Sequence, residues 1–101
     1  MMHDIYNALL NFELDKKSDE DLRAYSNACS DATHGILCAL RLIGNLTVMA
    51  NANEDYDAED AKRDLFLLGT VLQQLPRMAE ALEQNSQCAD YVLRQRKEVA
   101  K

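Results

Sequence analysis

Apolar residues recur along most of this chain at alternating intervals of three and four. The longest row is Leu22, Tyr25, Cys29, Ala32, Ile36, Ala39, Ile43, Leu46 and Ala50, and none of its members is charged. A second row runs through Ala58, Ala61, Leu65, Leu68, Leu72, Leu75, Ala79, Leu82, Ser86, Ala89 and Leu93, with Ser86 its one polar member. Such spacing keeps a narrow stripe of one helix facing a neighbouring helix. The rows predict helices over about 19–50 and 58–97. Between them lies a polar segment, residues 51–57, whose Asn and Asp side chains bond readily to their own backbone.

Local signals mark where these helices begin. Ser18 is an N-cap with Asp21 three residues on, and Asp57 stands in the same relation to Asp60. Asp19 and Glu20 add negative charge to the first turn, where the helix dipole favours it. A shorter helix is expected over 3–14, where Ile5, Leu9 and Phe12 recur on one face widened by Tyr6 and Leu10. Pro76 falls inside the last helix. The apolar row keeps phase through it and no capping residue precedes it, so a kink is expected there and not a break. Gly35 lies nearly opposite, where a small residue would make room for the bend.

The fold expected is therefore all-α: one domain, residues 1–101, built on a long antiparallel helical hairpin with a short N-terminal helix. Folding the rows back on each other pairs Ala50 with Ala58, Ile43 with Leu65, Ile36 with Leu72, Cys29 with Ala79 and Leu22 with Ser86. Leu93 and Ala89 then overhang, and only the first helix can cover them.

The rows do not use up the apolar residues. On the first long helix Leu37, Leu40, Leu42, Val48 and Met49 point away from the row; on the second, Leu67, Val71, Met78, Cys88 and Val92 form another stripe, interrupted by Gln74 and Asn85. A helix apolar on several sides is normally buried on several sides. A first helix about 15–18 Å long cannot cover both extra faces of a hairpin about 45 Å long. These ten residues are thus the expected interface, with a second copy of the chain completing a core like that of a four-helix bundle.

Composition agrees with the pattern. Hydrophobic residues make up 48% of the chain and charged residues 28%, which suits a globular protein, and helix formers dominate. The net charge of −6 argues against a general nucleic-acid binder or adsorption to an anionic membrane. Asp4 and Asn7 interrupt the first apolar segment, so no secretory signal is expected. The most apolar stretch, residues 35–50, carries Arg41 and Asn45, and no membrane span is expected. Cys29, Cys38 and Cys88 are widely spaced, without a CxxC pair, as suits buried thiols in a reducing cytoplasm.

Candidate chemistry is thin. His34 and Cys38 share a helix face at the spacing of two metal ligands, but only His3 and Cys88 remain to complete a set of four. Residues 51–57 place oxygens at alternate positions like a calcium loop, yet Tyr56 stands where the loop needs Gly and Lys62 where it needs Glu. No nucleophile with a base, phosphate-binding loop or Glu-x-x-His pair is present. Neither catalysis nor a cofactor or metal is expected. The expectation is a non-enzymatic, cytoplasmic, homodimeric regulatory protein that binds another protein, in the manner of small bacterial or phage accessory factors. Two alternatives differ in class. The acids at 13–21 and 54–60 could mimic nucleic acid toward a DNA-binding protein, or the hairpin could be the dimer core of a transcriptional regulator, for which no helix-turn-helix presenting Arg and Lys is apparent. The basic cluster from Arg94 to Lys101 is explained by the dipole at a helix C-terminus.

Overall fold

The computed structural model describes residues 4–100, and every regular element among them is helical. Helix α1 spans Ile5–Leu9, a 3₁₀ turn spans Leu14–Lys16, and two long helices follow, α2 at Asp19–Ala52 and α3 at Ala58–Val99. The N-termini form where the spacing predicts. Ser18 Oγ accepts from the Asp21 N–H at 3.1 Å and Asp57 Oδ1 from the Asp60 N–H at 2.7 Å. Helix α3 passes through Pro76 unbroken. Gly35 has no part in accommodating the proline, because a Cβ added there would meet open space.

The N-terminal helix is shorter than the expected 3–14; His3 lies outside the described residues. Helix α1 stops at Leu9 because Asn85 of α3 takes over the hydrogen bonds that would continue it. The Asn11 N–H donates to Asn85 Oδ1 at 3.0 Å, and Asn85 Nδ2 donates to the Leu9 carbonyl at 2.9 Å. The Glu13 N–H then turns to the Asn11 side chain at 2.9 Å. The chain leaves the helix in extended conformation at Leu10 and re-forms as the 3₁₀ turn, which buries Leu14.

Helices α2 and α3 run antiparallel, and their register differs from the simple fold-back of the two rows. Thr33 reaches the Ala79 carbonyl at 3.5 Å, and Ser26, not Leu22, stands opposite Ser86. The pairing has moved by about one helical turn. Beside the row, Ser26 is buried and Thr33 half-buried, while Ala32 of the row is exposed. A part-buried polar cluster joins the helices in this register. The Asp90 carboxylate only accepts, so Ser26 donates to it at 2.7 Å and Ser86 donates to Ser26 at 2.9 Å.

The core is confined to the end where the chain starts and finishes. Leu14, Leu22 and Ala89 are buried together, with Tyr25, Cys88, Val92 and Leu93 packed around them. Among the described residues Leu22 is the only large side chain with no exposed surface, and Ala81 is likewise fully buried. Toward the α2–α3 turn the burial fades. Leu46 is 54% exposed, Leu65 63% and Leu72 48%, although all three belong to the rows that predict a sealed contact. The molecule measures 65 × 30 × 15 Å with a radius of gyration of 18.8 Å, against about 13 Å for a compact chain of this size.

Candidate interaction surface

The distal half of the α2–α3 pair is a single layer of two helices with an apolar cleft between them. Ile43, Leu46 and Ala50 line it from α2, and Ala61, Leu65 and Leu68 from α3, around a volume of about 680 Å³. Leu46 and Leu65 are well exposed within it. Ile43, Ala61 and Leu68 of the same cleft are half-buried. At its outer end Tyr56 donates a hydrogen bond to Asp64. That bond raises the Tyr56 pKa above the ordinary phenol value and lowers the Asp64 carboxyl below the ordinary carboxylate value.

The walls are mainly apolar, with Asp57 and Asp64 lining only the outer end. Residues 65–76 of α3 carry no charge, and Arg41 is the one charged residue of α2 between 32 and 52. The turn beyond is the opposite, with six acids against two bases from 54 to 64. The other acidic cluster, 13–21, sits at the far end, about 50 Å away along α2. There it meets the basic tail: Arg96 donates to Asp19 and to the Asp15 carbonyl, each at 2.8 Å. The two acidic clusters therefore lie at opposite ends of the helix pair.

The ten residues expected at an interface separate into two groups. Leu37, Leu42, Val48, Met49 and Leu67 are well exposed in the distal half. Leu40, Val71 and Met78 are half-buried. Cys88 and Val92 belong to the interior, packed against Leu14, Leu22 and Ala89. Asn85, which interrupts the second stripe, proves to be the clamp that holds the N-terminal segment; nothing local to it announces that role. The exposure of Leu46, Leu65 and Leu72 was likewise hidden by their membership of the rows.

His34 and Cys38 meet as their spacing requires, with Nε2 and Sγ 3.6 Å apart. Among the described residues no group of three or more His, Cys, Asp or Glu side chains converges to hold a metal ion, and His3 lies outside them. In the turn, Asn53 Oδ1 accepts from the Asp55 N–H at 2.8 Å and Asp57 caps α3, so these oxygens serve the backbone. By length and composition alone α2 could cross a membrane, and none of its most apolar stretch is buried within the chain.

Arg77 ties α1 to α3. It pairs with Asp4 at 2.9 Å and with Glu80, and its guanidinium lies 4.4 Å from the centre of the Tyr6 ring. The Asn7 N–H and Arg77 hold the Asp4 carboxyl below its ordinary pKa. A depressed carboxylate contributes stability that is present at neutral pH and lost as the pH falls through its folded value. Acidification below about pH 4 is therefore expected to loosen α1 before α2 and α3. NMR signals of Tyr6 should shift in that range, and Asp4→Asn should show the shifted signals already at pH 7. Unchanged Tyr6 signals in both experiments would contradict this.

No family model matches the chain, and no curated protein or solved structure gives a significant match to it.

Proposed function

We propose that this protein is a non-enzymatic helical interaction module that works as a homodimer and regulates or assists another protein. Its unit is the helical hairpin of α2 and α3, and its core is completed by a second copy in the manner of a four-helix bundle. The observation carrying this reading is the unsealed distal half. A stable domain encloses its core between at least two layers, and here only one layer is present over much of the length. The exposed residues Leu37, Leu42, Val48, Met49 and Leu67 supply the apolar surface a partner would cover. The same surface lies on a chain of net charge −6, which favours protein over nucleic acid as the further partner.

Thermal unfolding at several protein concentrations tests the self-association. A dimer gains stability by mass action, so Tm is expected to rise by several degrees between about 1 and 100 μM. A Tm independent of concentration over that range would contradict the proposal.

A further inference from the structure

We infer that the distal cleft between α2 and α3 is the dimer's core, closed by the same cleft of a second copy. The inference rests on the homodimer reading above and specifies its surface. Leu46, Leu65 and Leu67, exposed in one chain and lining the same cleft, are its central contacts.

Area is the first argument. The chain exposes 7798 Å², whereas a compact monomer of 11.4 kDa exposes about 5,800 Å². The excess is about 2,000 Å² per chain. Two copies burying that much reach about 4,000 Å² in total, within the range of obligate homodimers. A foreign helix forming an interface of ordinary size covers about 800 Å² per partner, under half of the excess.

Helical geometry is the second. A helix in a two-helix pair needs only a narrow stripe, but a helix in a four-helix core buries a wider one. Here Ile36, Ala39, Leu40 and Ile43 of α2 are half-buried, while Leu46 is exposed. Helix α3 does the same, with Leu68, Val71 and Leu75 half-buried and Leu65 and Leu67 exposed. Leu46, Leu65 and Leu67 line the one cleft, and helix α1 packs against α3 elsewhere, through Arg77 and Asn85.

Charge is the third. The cleft is apolar apart from Asp57 and Asp64 at its outer end, where they stay in water, and an isologous contact sets its apolar lining against the same residues of the second copy. A bilayer is less suited to it. Gln73 and Gln74 sit midway along the uncharged part of α3, and crossing would carry the acidic turn through the membrane.

The test is sedimentation equilibrium of four full-length proteins: wild type, Leu46→Glu, Leu65→Glu and, as control, Tyr91→Glu, which alters an exposed residue at the proximal end. Leu46 and Leu65 lie outside the Leu14–Leu22–Ala89 core, so the helical circular dichroism of the variants is expected to match the wild type at the measured concentration. The expected result is a wild-type and control dimer, with both cleft variants associating at least about a hundredfold more weakly. Dimers of unchanged affinity in both cleft variants would overturn the inference while leaving the homodimer reading in place. A monomeric wild type would overturn both. A wild type that is monomeric and floats with vesicles of phosphatidylcholine and phosphatidylglycerol would assign the cleft to lipid instead.

Discussion

Replacing Leu22 by Ala is expected to destabilise the protein by about 2–5 kcal/mol, the range for emptying a fully buried leucine site. Leu22 has no exposed surface and is the one large side chain among the described residues of which this is true. Its neighbours cannot easily collapse into the vacancy. Ala89 is small, and Leu14 is fixed by the 3₁₀ turn that carries it. A domain of this size has about 5–15 kcal/mol in total, so one substitution removes a large share. Urea denaturation at a fixed protein concentration measures it. A loss below about 1 kcal/mol would show that the buried cluster at this end is not the chain's stabilising core.

The second large effect is expected at Asn85, which is 2% exposed and holds Asn11 and Leu9 with one amide group. In Asn85→Ala the Asn11 N–H and the Leu9 carbonyl lose their partner in a part-buried site. Each such loss costs about 1–3 kcal/mol unless water enters. The segment then has no reason to leave the helix at Leu10, and its attachment to α3 falls to Arg77 and Leu14. Hydrogen exchange at Asn11 is expected to accelerate at least about tenfold, with the α2–α3 amides much less affected. Asn85→Asp keeps the acceptor for the Asn11 N–H but loses the donor to Leu9, so it should fall between the two. Uniform acceleration across all helices would mean that Asn85 supports the whole fold.

These two residues also show what could be read from the chain and what could not. The helical class and the starts of α2 and α3 depend on local chemistry, Ser18 with Asp21 and Asp57 with Asp60, and both caps form as their spacing predicts. The end of α1 depends on a side chain 74 residues away, and no local pattern carries that information. The register fails for a related reason. Intervals of three and four specify a stripe, but a stripe can meet its neighbour squarely or along either flank. In the observed register Ser26, Ser86 and Asp90 are joined by hydrogen bonds, and a count of apolar positions carries no such information. Leu46 and Leu65 illustrate the consequence: the same alternation that predicts a sealed pair also suits a bundle of four, in which one chain alone leaves them open.

The central claim is that one chain is half of a folded unit, and the molar mass in solution tests it most directly. Light scattering on the eluting protein at micromolar concentration is expected to give twice the chain mass of 11.4 kDa. A mass of one chain, unchanged up to the highest concentration reached, would contradict the account.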